Sequence, residues 1–140
     1  MKIGILREGK VPIDKRVALT PQHASVLQQT FSCTVVAQPS PIRAITDDEY
    51  VAAGISLQED LSDCDVLFGV KEVPIDQLIP NKTYFFFSHT YKKQPYNAKL
   101  LKACVERNIR LIDYELLTKN GARVVAFGRF AGLVGAYNGL

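Results

Sequence analysis

The sequence predicts a doubly wound α/β domain with a mostly parallel sheet and helices on both faces. Three observations carry this expectation. Strand-like and helix-like stretches alternate along the whole chain. The run Tyr84-Phe-Phe-Phe87 has no polar interruption, the mark of a strand buried on both faces, as in a parallel sheet covered on both sides. Two helix starts, at Thr20-Pro21 and at Thr46, carry capping chemistry directly after loops.

Taken in order, Lys2–Leu6 is a short apolar strand and Arg7–Lys15 a polar loop of both charges. Thr20 as N-cap and Pro21 at the first helical position start a helix that runs to about Gln29. Cys33–Ala37 alternates β-branched residues and reads as the second strand. Gln38–Ile45 holds two prolines and is a loop. Thr46-Asp-Asp-Glu49 is a capping box, in which threonine and glutamate side chains each serve the other residue's backbone N–H. Its helix stops at Gly54. Ile55–Leu57 is a minor strand, Asp65–Val70 a central one, and Pro74–Leu78 one helical turn.

The Phe strand follows and ends abruptly at Ser88-His89. Pro95–Asn108 predicts the longest helix, apolar at Leu100, Leu101, Ala103, Cys104 and Val105 and charged at Lys99, Lys102, Glu106 and Arg107. Arg110–Ile112 is a strand leading into Asp113-Tyr114-Glu115. Lys119-Asn120-Gly121 is a turn, Arg123–Phe127 a last strand, and Phe130–Leu140 an apolar segment of small residues. That segment has no polar stop, so the chain is expected to be one N-terminal domain, residues 1–140, of a longer protein.

Composition narrows the function classes. At 47% hydrophobic and 22% charged residues, the chain is globular rather than disordered. The net charge of +3 is spread without a basic block, which suits a small anionic ligand and gives nucleic-acid binding little support. Three widely spaced cysteines, Cys33, Cys64 and Cys104, form neither a disulfide framework nor a zinc pattern and point to a reducing, cytoplasmic setting. Two histidines without His-x-x-x-His spacing offer no metal site. No signal peptide or membrane-length apolar run is present.

Candidate chemistry gathers where strands end, because ligands of open α/β sheets lie beyond the carboxyl ends of strands. His89, Tyr91 and Lys92 follow one strand, and Lys71-Glu72 follow another. If these strands are neighbours, Lys71 and His89 share a crevice. Arg16 brings a planar fork suited to a carboxylate. A lysine beside another cation is prepared for acid/base work, and a histidine needs no such help. With Glu115, these residues suit a small oxo or amino acid. Each also has a bland reading: His89 as a loop residue or cap, Lys71 paired with Glu72, Arg16 anchoring its loop. Glu115 divides evenly between substrate contact and core hydrogen bonding, and Tyr91 and Lys92 are commonly just exposed.

Gly128-Arg-Phe-Ala-Gly132-Leu-Val-Gly135 follows a strand and opens a helix. Its spacing is G-x-x-x-G-x-x-G, without the acidic residue that accompanies a dinucleotide fingerprint. A helix packed through small residues is the better reading, and no Walker motif is present.

Arg7-Glu8 followed by Lys15-Arg-Val-Ala-Leu-Thr-Pro21 resembles the opening of the alanine dehydrogenase/pyridine nucleotide transhydrogenase N-terminal domain. Gly69-Val-Lys-Glu72, Phe87-Ser-His-Thr-Tyr-Lys92, Leu111-Ile-Asp-Tyr-Glu115 and Arg123-Val-Val-Ala-Phe-Gly128 through Ala131-Gly132 resemble lysine-forming saccharopine dehydrogenase. They are similar as well to the lysine–ketoglutarate reductase part of the bifunctional lysine-degrading enzyme. The resemblance spans nearly the whole chain with the motifs in order.

The resemblance implies a flavodoxin- or Rossmann-like fold lacking the dinucleotide fingerprint, and NAD(P)-linked cleavage of saccharopine to lysine and 2-oxoglutarate, or the reverse. It implies Lys71 as acid/base lysine and His89 as catalytic histidine. Arg16 is matched to a substrate-carboxylate arginine, Glu115 to an acidic residue near the substrate amine, and Lys92 to a second cation. NAD or NADP belongs with a further Rossmann domain expected after residue 140, so these residues alone are expected to be inactive and to hold no cofactor. Rival readings are an alanine dehydrogenase or transhydrogenase domain, and a non-catalytic module binding a metabolite or partner.

Overall fold

The computed structural model describes residues 1–139; Leu140, the end of the apolar segment, lies outside the described residues. One sheet contains β1 (Lys2–Ile5), β2 (Thr34–Ala37), β3 (Ser56–Leu57), β4 (Val66–Phe68), β5 (Thr83–Phe86) and β6 (Arg110–Asp113). All neighbours pair in parallel, in the order β3-β2-β1-β4-β5-β6. Strand order therefore reverses between β1 and β4, where such sheets open a crevice at their carboxyl ends.

Helix α1 (Pro21–Phe31) and helix α2 (Asp47–Ala52) cross on one face. Ala24 and Tyr50 pack there against Ile3, Ile5, Val35 and Ala37. Helix α3 (Ala98–Glu106) covers the other face, where Leu100, Ala103 and Cys104 meet Leu67, Tyr84 and Phe86. The expected caps are present: the Thr20 side chain accepts from the His23 N–H, and Thr46 and Glu49 form the reciprocal capping box. Gly54, at φ +78°, turns the chain out of α2, a conformation that costs glycine nothing.

Three expectations need correction. The Phe strand is sealed on one face only. Tyr84 and Phe86 are fully buried, whereas Phe85 and Phe87 are half-buried, because the helices beyond β1 and those beyond β4 lie on opposite faces. Phe85, stacked on Phe68 at 4.6 Å, lines an apolar cavity of about 530 Å³ together with Phe87, Tyr114, Val125 and Phe127.

The segment Pro95–Asn108 is not the longest helix. It begins as a 3₁₀ turn, Pro95–Asn97, and its α-helix has nine residues, against eleven in α1. Arg123–Phe127 is not a sheet strand either. Only Ala122–Arg123 (β8) is extended, in a small antiparallel hairpin with β7 (Thr118–Lys119). Asn120 and Gly121 both have positive φ at its turn, as a tight two-residue hairpin demands. Residues Val124–Phe127 then lead across the cleft into α4 (Gly128–Asn138), whose Phe130, Leu133, Val134 and Tyr137 are exposed. Among the described residues no helix is long and apolar enough to cross a membrane.

Candidate active site

The central strands β4 and β5 are direct neighbours, so the residues that follow each of them emerge side by side. Arg16, Lys71, His89 and Glu115 line one open pocket of about 310 Å³, with Phe87, Arg123 and Phe127 completing its wall. Four of the five residues singled out from sequence thus meet in one cleft at the carboxyl edge of the sheet. Lys92, the fifth, stands behind it, bonded to Glu115 and with its amine 3.2 Å from His89 Nδ1.

His89 is held through its backbone. Its φ is +55°, uncommon for a residue with a side chain, and both of its peptide groups are engaged. Its N–H donates to Oδ2 of Asp113 at 2.9 Å, and its carbonyl accepts from Nδ2 of Asn97 at 3.1 Å. Asp113 also accepts from the Ser88 hydroxyl at 2.7 Å and from the Glu115 N–H at 2.9 Å. That carboxylate is only 4% exposed, and it ties the end of β5 to the end of β6.

The His89 ring meets Glu115, with Nδ1 2.7 Å from Oε2. Glu115 is also bonded by Lys92 Nζ at 3.2 Å and Arg123 at 3.3 Å, so three basic side chains converge on one carboxylate that is 8% exposed. Burial pushes this carboxyl up, but the hydrogen bonds and charges of His89 and Lys92 outweigh it and leave the carboxyl below its ordinary value.

Across the cleft, Arg16 grips both oxygens of Asp14 through Nε and Nη2 and stacks over the Phe127 ring at 5.1 Å. The hydrogen bonds from Arg16 hold the Asp14 carboxyl below its usual range. Lys71 does not pair with Glu72, which binds Lys10 instead; among the described residues the Lys71 amine has no hydrogen-bond or ion-pair partner. Tyr91 is exposed. The site therefore joins a carboxylate-tethered histidine, an unengaged lysine and an arginine over an aromatic floor. Such a set suits a small substrate carrying carboxylates and an exchangeable nitrogen.

Sequence reasoning missed Asp113, Arg123 and Glu8. Asp113 and Glu8 lie within motifs already conspicuous, Asp113-Tyr114-Glu115 and Arg7-Glu8. Arg123 was read as the start of a strand, and only the hairpin swings it onto Glu115.

The fold and the cleft define a doubly wound α/β domain with a pocket lined by basic side chains at the carboxyl edge of its sheet. The chain belongs to the alanine dehydrogenase/PNT N-terminal domain family, whose model matches residues 4–134. It is 44% identical over 137 residues to the mitochondrial alpha-aminoadipic semialdehyde synthase of Bos taurus, covering 97% of this chain and 15% of that protein. It is 34% identical over 142 residues to the NAD(+), L-lysine-forming saccharopine dehydrogenase of Yarrowia lipolytica, covering 96% of this chain and 38% of that one. Among solved structures, a transhydrogenase from Sinorhizobium meliloti superposes with a TM-score of 0.73 at 19% identity over 86% of this chain and 37% of that chain. An L-alanine dehydrogenase gives a TM-score of 0.71 at 22% identity, covering 86% of this chain and 34% of its own. The chain spans well under half the length of each of these proteins, and the two structures share its fold.

Proposed function

We propose that this chain is the substrate-side domain of an NAD(P)-dependent amino-acid dehydrogenase of the saccharopine type. The reaction is saccharopine, NAD(P)⁺ and water giving lysine, 2-oxoglutarate, NAD(P)H and a proton, or the reverse. The observation that carries the proposal is the convergence of Arg16, Lys71, His89 and Glu115 on one cleft, in a chain that resembles saccharopine dehydrogenases over nearly all its length. Buried cysteines without disulfides fit a reducing compartment such as the cytoplasm.

The glycines of the Gly128–Gly135 segment do not form a dinucleotide site. Gly128, Gly132 and Gly135 lie inside the exposed helix α4 rather than at a turn between strand and helix, so no backbone cradle for a pyrophosphate exists there. In this reading cofactor binding falls to a further domain, and these residues alone are expected to hold no cofactor and turn over no substrate.

The chain's own work is binding and proton transfer. Arg16, fixed by Asp14, offers its remaining N–H groups to a substrate carboxylate, and Arg123 adds a second cation to the wall. Nδ1 of His89 faces Glu115 at 2.7 Å and the Lys92 amine at 3.2 Å. The ionised carboxylate, the nearer of the two, can only accept, so we assign the proton to Nδ1, with Nε2 as the basic atom. Lys92 is then a neighbouring charge and not a donor to the ring. His89 Nε2 and the Lys71 amine then exchange protons with the substrate nitrogen and with the attacking water. Lys92 shares the Glu115 charge and keeps its carboxylate in place.

The test is NADH oxidation by the full-length protein with 2-oxoglutarate and lysine, beside a pyruvate-plus-ammonia control. Lysine-dependent oxidation that falls at least roughly tenfold in His89→Ala and in Lys71→Met is expected. Turnover with pyruvate and ammonia alone moves the chain to the alanine branch, and no turnover with either pair leaves a binding module.

A further inference from the structure

We propose that Glu8 is the positioning residue for Lys71, its carboxylate gripping the backbone bend at the point where the sheet opens. The inference rests on the proposed role of Lys71 and reaches a residue that this role does not include. The ladder between β1 and β4 ends with the Leu6 N–H donating to the Phe68 carbonyl at 2.8 Å. On the other side of β4, pairing with β5 continues two residues further, through Gly69 N–H to Phe85 and Phe87 N–H to the Val70 carbonyl. Past Leu6, β1 peels away, the chain bends at Val70-Lys71, and the N–H groups of both residues turn to the side that β1 has left.

Glu8 supplies both acceptors. Its Oε1 accepts from the Val70 N–H at 2.7 Å and its Oε2 from the Lys71 N–H at 2.8 Å. One carboxylate thus grips two consecutive peptide N–H groups, which a neighbouring strand could not do because successive N–H groups of a strand point to opposite edges, and it thereby holds the bend at Val70-Lys71. The loop bearing it is fastened on both sides. Arg7 pairs with Glu59 and Lys10 with Glu72, and a side chain at Gly9 would meet Gln77 Oε1 at 2.9 Å and Pro74 at 3.4 Å. Because the Lys71 amine has no partner among the described residues, the backbone determines where its side chain starts toward the cleft.

Burial raises the Glu8 carboxyl above its ordinary value against the two backbone bonds, and Asp14 and Arg16 are the charges that face it. Protonation would turn one acceptor into a donor aimed at an N–H, so the bracket holds only while Glu8 is ionised.

Two measurements test this. In the ¹⁵N-labelled chain, the Val70 and Lys71 amide shifts should follow one common titration step above 4.5, the ordinary glutamate value, and Glu8→Gln should abolish it. Flat amides, or a step that survives in Glu8→Gln, overturn the bracket. In the full-length enzyme, Glu8→Ala should lower kcat roughly tenfold or more with KM within about twofold, and Glu8→Asp should restore part of the loss. Combined with Lys71→Met, Glu8→Ala should add nothing, because its effect passes through Lys71. Losses that multiply in the double variant, as a general folding defect gives, overturn the proposal. Unchanged turnover in Lys71→Met defeats instead the catalytic reading of Lys71, while the amide titration still decides whether Glu8 holds this backbone.

Discussion

Nδ1 of His89 lies 2.7 Å from Oε2 of Glu115, and the same carboxylate is bonded by Lys92 and Arg123. An anion shared by three basic groups cannot move toward one of them without loosening another, so the imidazole is set in orientation. Glu115→Gln keeps the shape and removes the charge. If the proposed activity holds, kcat of Glu115→Gln in the full-length protein should fall at least roughly tenfold, and in a His89→Ala background the same change should add little. Turnover of Glu115→Gln within twofold of the parent would remove Glu115 from the orienting role.

Asp113 is the structural counterpart one turn deeper. Asp113→Ala strips acceptors from the Ser88 hydroxyl and from the N–H groups of His89 and Glu115. Buried groups left without partners cost about 1–3 kcal/mol each. Chemical denaturation of this chain should show a loss of about 3 kcal/mol or more, with Asp113→Asn losing less. A midpoint shift below about 1 kcal/mol would mean that these groups find other partners.

Gly4 lies in β1 where the sheet meets its second layer. A methyl group there would stand 2.8 Å from Leu67 Cδ2, 2.9 Å from Leu61 Cδ1 and 3.2 Å from Cys64 Sγ. Leu61, Cys64 and Leu67 are all fully buried, so none can turn outward. Gly4→Ala should therefore destabilise the chain by about 1–3 kcal/mol through overpacking, read from the urea midpoint, and an unchanged or raised midpoint would contradict this packing.

Acid should weaken the chain through its paired carboxylates. Asp14 and Glu115 titrate below their ordinary values of 3.8 and 4.5 in the folded state. A group whose pKa falls on folding contributes stability above its unfolded pKa, and that contribution is lost as pH drops through the folded value. Denaturation midpoints should decline progressively below about pH 4.5, and Asp14→Asn should flatten part of that decline. Glu8, raised on folding, has the opposite slope: its contribution is present below 4.5 and lost as pH rises through its folded value. A midpoint independent of pH between 3 and 5 would refute the assignment for the pair.

Much of the architecture was legible locally. Thr20-Pro21, the Thr46–Glu49 box and Gly54 mark helix ends through contacts within a few residues, so their chemistry is complete in the sequence. The alternation of strands and helices was enough for a doubly wound sheet. Arg123–Phe127 misled because Val124 and Val125 favour extended backbone wherever they occur, whereas the Asn120-Gly121 turn folds Arg123 back on Thr118. The Phe run misled for a related reason. An unbroken apolar run resembles a strand sealed on both faces, although Phe85 and Phe87 line an open cavity.

The sequence by itself determined the elements, the candidate residues and the family, because periodicity, caps and motif order are properties of neighbouring positions. Only the tertiary structure decided that β4 lies between β1 and β5, so that Lys71, His89 and Arg16 share a cleft. It also decided that Glu115 is engaged by His89, Lys92 and Arg123, and that the Glu8 and Asp113 carboxylates bind the backbone N–H groups of Lys71 and His89. These last bonds join residues 24 to 63 positions apart. A hydrogen bond of that span is created by the sheet's strand order, and no local pattern encodes it.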